Sequence, residues 1–257
     1  MPIWTPAALS SELQPYRCEV WRLVEAQHHV STMKLVDSLG EQDVLENLIE
    51  RTKPAYPVDC GSLHYLFKTP FRYGAAYPGG SRFRRAGFTP GVYYASEAPR
   101  AAVAEMAFYR LLFFAESPET PWPANPSEYT GFSAALQTRR RLDLTVPPLD
   151  SDAADWRRLD DYGPCQAFAD VARQAEAEII RYSSVRDPVG GANVAVFSCA
   201  AFAGASPLQT QTWRIGVSEH GAYAICEFPQ DRVEFGIEAF AADSRMVSMK
   251  WERALSR

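Results

Sequence analysis

One stretch limits the architectures open to this chain more than any other: GVYYASEAPRAAVAEMAFYRLLFF, from Gly91 to Phe114. Its first six residues, GVYYAS, read as a short strand. The rest reads as a helix from about Glu97 to Phe114, with Ser96 placed to cap it. At 3.6 residues per turn, Ala101, Ala104, Glu105, Phe108, Leu111 and Leu112 fall on one side, with Arg100 and Arg110 roughly opposite. A strand that feeds a helix with one apolar side calls for a layered fold. The remaining patterns agree: short strands and few helices in mixed order predict an α+β domain.

CEVWRLVEA (Cys18–Ala26) alternates as a strand, with Val20, Arg22 and Val24 on one face and Trp21 and Leu23 on the other. Leu35–Arg51 has the helical period, with Val44, Leu45, Leu48 and Ile49 as its apolar stripe. Residues 52–90, rich in Pro, Gly and Tyr, predict a long ordered loop, and the proline-rich residues 115–130 a surface loop. Further strands are expected at Arg139–Thr145, Glu178–Ser184 and the run VAVFS. A helix is expected over Cys165–Ala177, and a hairpin from Trp213–Val217 and Ala222–Phe228 around His220-Gly221. No internal repeat is visible. Residues 1–15 read as a loose N-terminal arm and 16–257 as one domain.

A net charge of -5 argues against direct nucleic-acid binding, which needs a basic excess. No apolar run approaches the ~18 residues of a membrane span, and the N-terminus lacks the basic and apolar blocks of a signal peptide. The five cysteines are scattered without C-x-x-C spacing and the four histidines form no ligand pattern. No metal site is expected, and reduced cysteines in a cytoplasmic protein are the simplest expectation.

Glu105 stands out because it interrupts an apolar stripe. A lone buried carboxylate is costly, so it should be paired, hydrogen-bonded or turned toward a cavity. A structural ion pair and a functional acid are both open. The loop before the helix holds Arg82, Arg84 and Arg85 among Gly79, Gly80 and Gly87. Guanidinium forks match phosphate oxygens, and glycines let a backbone approach a ligand. The spacing is neither a P-loop nor a dinucleotide fingerprint. Arg22 alternates with apolar neighbours, so it points to one defined face. Tyr93 and Tyr94 point to opposite faces, and one of them could cover a planar ring. RYSSVRDPVGGAN (Arg181–Asn193) puts arginines and serines at a strand end before a glycine loop. Cys165, at a helix start, is a candidate thiol without a partner histidine.

Taken together, WRLV (Trp21–Val24), GGSRF (Gly79–Phe83), GVYYAS, AVAE (Ala102–Glu105), DYGPCQA (Asp161–Ala167) and IRYSSVR with GGAN (Ile180–Asn193) resemble the RES-domain family. They occur in the family's order over roughly residues 17–200. The resemblance implies a single domain with a mixed, mainly antiparallel sheet and flanking helices, similar to ADP-ribosyltransferases. It implies a toxin of a toxin–antitoxin pair that consumes NAD, as a glycohydrolase, a phosphorylase or an ADP-ribosyltransferase. The implied partner is an antitoxin with a helix-turn-helix DNA-binding domain; a homo-oligomer is left open.

Residue by residue, the resemblance assigns Arg22 and Arg82 to the pyrophosphate, Tyr93 to the nicotinamide or ribose, Glu105 to the reacting ribose and Ser184 to a ribose or amide group. Two departures are visible. Ser81 interrupts the G-G-R-W-N pattern, and Phe83-Arg84 replace its Trp-Asn. The serine has two positions to match, since Gly163-Pro164 stand where some members carry a hydroxyl residue. Two rivals therefore stand beside the toxin: another nucleotide or phosphosugar enzyme, and a catalytically weakened nucleotide-binding or partner-binding protein.

Overall fold

The computed structural model describes residues 4–25, 30–73, 80–87 and 89–254; Gly79, His28 and His29 lie outside these. Seven helices occur among the described residues: α1 (Pro6–Ser11), α2 (Val30–Met33), α3 (Leu39–Thr52), α4 (Tyr65–Arg72), α5 (Pro99–Glu116), α6 (Ala153–Trp156) and α7 (Gly163–Gln174). The strands are β1 (Gln14–Glu25), β2 (Tyr93–Ser96), β3 (Ser127–Asp143), β4 (Ile179–Ser183), β5 (Ala192–Val196), β6 (Thr210–Ser218), β7 (Gly221–Cys226) and β8 (Asp231–Phe235).

All eight strands form one sheet in the order β1-β2-β5-β4-β3-β6-β7-β8, and β1 also pairs with β3. The first five strands therefore close into a ring, with β6, β7 and β8 as a tail. Only β3–β4 is parallel among the named pairs. The α+β expectation, with a mainly antiparallel sheet and flanking helices, holds.

The ring has a weak seam. β1 runs alongside β3 for most of its length but meets β2 at one register point, Trp21 opposite Ser96. A short β2 of four residues cannot follow a β1 of twelve, so the two diverge on either side of that contact.

Three apolar clusters account for the layers. Strand alternation sends Tyr16, Val20, Tyr93, Ala95, Phe132, Ile179, Val194 and Val196 to one cluster, where α4 contributes Phe67 and Phe71. The opposite face of β1 carries Trp21 and Leu23, which pack with α5 and the tail strands. The third cluster sets α1 and α7 against Ile180, Tyr182 and Ala195. Burying ten or more large side chains per cluster, at ~1.5–3 kcal/mol each, is the main term holding the layers together.

Several expectations need correction. Residues 52–90 are not all loop: they hold a 3-10 turn at Val58–Cys60 and α4, whose Phe67 fills the first cluster. The 1–15 stretch contains α1, capped by Thr5, with Leu9 fully buried against the α7 side. On α3 the expected stripe is divided, because Val44 and Leu48 are exposed while Leu45 and Ile49 are half-buried. β3 begins inside the stretch read as a proline-rich loop, since the irregular residues end before Ser127. Ser96 does not cap α5; the helix starts at Pro99 after Ala98, which makes no side-chain cap. Finally, Cys60 and Cys199 form a disulfide, which overturns the expectation of five reduced thiols. A residue separation of 139 hid it. Among the described residues, no helix is long and apolar enough to cross a membrane.

Candidate functional site

A cleft of about 290 Å³ opens at the β1–β2 seam, between α5 and the loop that carries Ser81 and Arg82. β1 contributes Trp21, Arg22 and Leu23; β2 contributes Tyr94 and Ser96; α5 contributes Ala102, Glu105 and Tyr109. Tyr162, Tyr182, Arg186 and Asn193 complete the wall.

Glu105 is reached from two later strands. Its Oε1 accepts from Ser184 Oγ at 2.9 Å and from Asn193 Nδ2 at 2.7 Å. Oε2 has no hydrogen-bond partner among the described residues and is not one of the buried unsatisfied atoms, so it stays open. Among the described residues Glu105 forms no ion pair with an arginine, the first of the two sequence alternatives. One oxygen is pinned and the other is available.

The pin is itself held. Ser184 Oγ accepts from the backbone N–H groups of Arg186 and Asp187, at 3.2 and 3.1 Å. Asn193 Oδ1 accepts from Ser96 Oγ at 2.7 Å, and these two residues stand directly opposite each other in the β2–β5 ladder.

Arg22 lies at the seam. Its Nη1 donates to the Tyr94 carbonyl at 2.7 Å, its guanidinium carbon is 5.1 Å from the centre of the Tyr93 ring, and its Nε is buried without a partner. Burial pulls its pKa down, opposed by Tyr93 and Tyr94. Among the described residues it has no carboxylate partner, and a buried guanidinium so placed has donor capacity left for an anion.

Arg82 also lines the cleft, but it is 8% exposed and its Nη1 donates to the Trp156 carbonyl at 2.8 Å. Arg84 and Arg85 are not among the lining residues; Arg85 pairs with Asp170 at 2.7 Å. In RYSSVR, Arg181 is held by Glu97 and Asp143 away from the cleft, whereas Arg186 lines it. Arg186 is braced by Asp243 at 2.7 Å and lies 3.6 Å from the centre of the Phe108 ring. Burial pushes the Asp243 carboxyl up, but hydrogen bonds from Arg245 and the charges of Arg186 and Arg245 outweigh it and hold it below the usual range.

Tyr93 needs correction. Strand alternation sends its ring to the far side, where Phe67 and Phe202 pack edge-on at 6.3 and 5.1 Å. Tyr93 is fully buried there and does not line the cleft. Tyr94 takes the cleft face, and its hydroxyl accepts from the Phe83 N–H at 3.0 Å and bonds Ser81 Oγ at 2.8 Å. That bond explains how the Ser81 insertion is accommodated. The Cys165 thiol is buried and its pKa is pushed up by that burial despite nearby Arg82, so no activated thiol forms.

Sequence reasoning missed Asn193 and Ser96 as parts of the site, along with Tyr162 and Tyr182; it left Tyr94 as the alternative to Tyr93 and named Arg186 only within the RYSSVR cluster. Asn193 sat inside a quoted motif, but its link to Glu105 depends on strand register. The Asp243 brace gave no local signal at all. Tyr162 carries a lowered pKa: burial pushes it up, but Arg245, a hydrogen bond with Tyr109 and Arg82 outweigh that. Among the described residues, the group with metal-ligand spacing is Asp59, Cys60 and Cys199, whose two cysteines form the disulfide.

The family model described as "RES domain" matches residues 55–218. Among solved structures, the crystal structure of the M. tuberculosis MbcT-MbcA toxin-antitoxin complex is similar, with a TM-score of 0.45 and 14% identity. The match covers 79% of this chain and 90% of that one. No curated protein matches.

Proposed function

From the premise that the chain belongs to the RES-domain family, we propose that it cleaves the nicotinamide–ribose bond of NAD. The observation that carries this is Glu105, pinned through one carboxylate oxygen and open at the other in a cleft that also holds the guanidinium of Arg22, whose Nε has no hydrogen-bond partner among the described residues.

As nicotinamide departs, positive charge develops on the ribose. A fixed carboxylate stabilises that charge more than it stabilises the ground state, because it needs no reorientation. Nicotinamide leaves from an already cationic ring, so no general acid is required, unlike ordinary glycoside hydrolysis. Arg22 supplies charge for the pyrophosphate, with Arg186 as a second cation and Arg82 shaping the wall. Tyr94, not Tyr93, offers a ring to the planar ligand, and Ser184 acts through Glu105. Water, phosphate or a protein side chain then accepts the ribosyl group.

The test is nicotinamide release from NAD. Glu105→Gln keeps the size and should cut the rate by about 100-fold or more. Equal rates from wild type and variant would remove Glu105 from the mechanism. A second reading, a binder with weakened catalysis, is favoured by the engagement of Arg82 with the Trp156 carbonyl. NAD binding with no turnover by wild type would select it.

The family premise adds a proposed partner: an antitoxin, of the helix-turn-helix type, that neutralises the chain. Growth arrest on expression, relieved by the product of the adjacent gene, is the expected outcome. Arrest that persists with that product present would refute the pairing.

A further inference from the structure

We propose that Asn193 is a positioning residue for Glu105 and that Ser96 sets the direction of its side-chain amide. This deepens the proposed NAD chemistry and rests on that reading for its kinetic test.

An amide side chain can present oxygen or nitrogen to a neighbour, and only the nitrogen helps a carboxylate. Asn193 shows its Nδ2 to Glu105 and its Oδ1 to Ser96. Ser96 Oγ donates to that oxygen, so rotating the amide by half a turn would lose this bond and set Oδ1 against Oε1 of Glu105. The orientation is therefore chosen by a hydroxyl two hydrogen bonds away from Glu105, bonded to the amide and not to the acid. Ser96 and Asn193 are each 2% exposed, while Glu105 is half-buried at the cleft wall. In that setting each bond is stronger than in water and each lost partner costs more. The β2–β5 ladder fixes the separation, because Ser96 and Asn193 are cross-strand partners.

Ser184 alone cannot do this work. A hydroxyl on the turn after β4 defines one direction at Oε1, leaving the carboxylate free to rotate about it. The second donor, from β5, fixes the plane and so the aim of Oε2. The charged groups that line the cleft with Glu105 are Arg22, Arg82 and Arg186, and its titratable hydroxyls belong to Tyr94, Tyr109, Tyr162 and Tyr182.

The experiment compares wild type, Asn193→Ala, Asn193→Asp, Ser96→Ala and Glu105→Gln. Nicotinamide release is followed over pH, and the Glu105 carboxyl is titrated by carbon-13 NMR. Asn193→Ala should lower kcat by about 10- to 100-fold while KM for NAD stays within about 3-fold, since aim is lost and binding is not. Ser96→Ala should lower kcat by a smaller factor, about 3- to 10-fold, because the amide retains its place but not its direction. Asn193→Asp puts a second carboxylate against the first, so the acid limb of its pH–rate profile should move up by about one unit or more. A merely structural residue would not move that limb.

In the NMR titration, which needs no turnover, Asn193→Ala should raise the Glu105 midpoint because a donor to the charged form is gone. An unchanged midpoint overturns the proposal, as does unchanged kcat in Asn193→Ala. If Glu105→Gln is inactive while Asn193→Ala is not, the positioning role alone falls. If Glu105→Gln is fully active, the NAD reading falls first, and the titration still decides whether Asn193 orients the acid. Should Asn193→Ala fail to fold, the isosteric Asn193→Asp carries the test.

Discussion

Tyr93 and Tyr94 are adjacent, chemically identical and opposite in consequence. The hydroxyl of Tyr93 is buried without a partner, so Tyr93→Phe removes an unsatisfied group and fills the same space. Stability should hold or rise by ~1 kcal/mol, read from denaturant unfolding, with nicotinamide release unchanged. Tyr94→Phe should instead cost ~1–3 kcal/mol, because the Phe83 N–H loses its acceptor. A larger loss for Tyr93→Phe than for Tyr94→Phe would reverse this assignment. Asp243 offers a pH test at the same scale. Its carboxyl is held low in the folded state by the Arg245 and Arg186 side chains, against the effect of burial. A depressed carboxyl adds stability above the ordinary carboxyl range, and that contribution disappears as pH falls through the folded value. Asp243→Asn should therefore destabilise by ~3 kcal/mol near neutral pH, leaving Arg186 buried without its charge partner. The gap to wild type should begin to narrow below about pH 4, the ordinary carboxyl range, and close as pH falls through the lower folded value. A gap independent of pH would mean the charge of Asp243 contributes nothing.

At the scale of elements, the site depends on how close α4 comes to the start of β2. A Cβ on Gly91 would lie 2.1 Å from the Pro70 carbonyl oxygen and 2.6 Å from the Phe71 Cα, both backbone atoms that cannot swing aside. Gly91→Ala should cost ~3 kcal/mol by forcing the two elements apart. Gly204→Ala is the control, since nothing lies within 4 Å of its Cβ position, and it should change stability by less than ~0.5 kcal/mol. Equal unfolding midpoints for the two variants would show that the α4–β2 approach is not tight. Periodicity found α5, β1, β4, β5 and the β6–β7 hairpin to within a few residues because local hydrophobic alternation is strong there. It missed α4, whose helix contains Pro70 and whose signal is diluted by flanking Pro and Tyr. It also missed residues 127–138 of β3 and all of β8. β3 buries residues on both faces, which erases the alternation, and β8 (DRVEF) carries two apolar residues among three charged ones, too few to mark a strand.

Across the whole molecule, the Cys60–Cys199 disulfide ties the turn before α4 to the segment after β5. Cross-linking positions so distant in sequence restricts the unfolded chain strongly. Cys199→Ser, or reduction of wild type, should lower stability by ~2–4 kcal/mol, and the two treatments should not add. Coincident unfolding curves with and without reductant would exclude a stabilising role. The sequence alone determined which residues share a face: Glu105 inward on its helix, Arg22 with Val20 and Val24, Tyr93 opposed to Tyr94. Those follow from the fixed rotation per residue of a helix or strand, which every chain carries locally. Tertiary structure decided which face meets the cleft and which atoms meet each other there. Ser184 and Asn193 reach Glu105 across 79 and 88 residues, and Ser96 reaches Asn193 across 97. Such contacts are set by strand register and ring closure, and a one-residue shift in the β2–β5 register would point Ser96 and Asn193 to opposite faces.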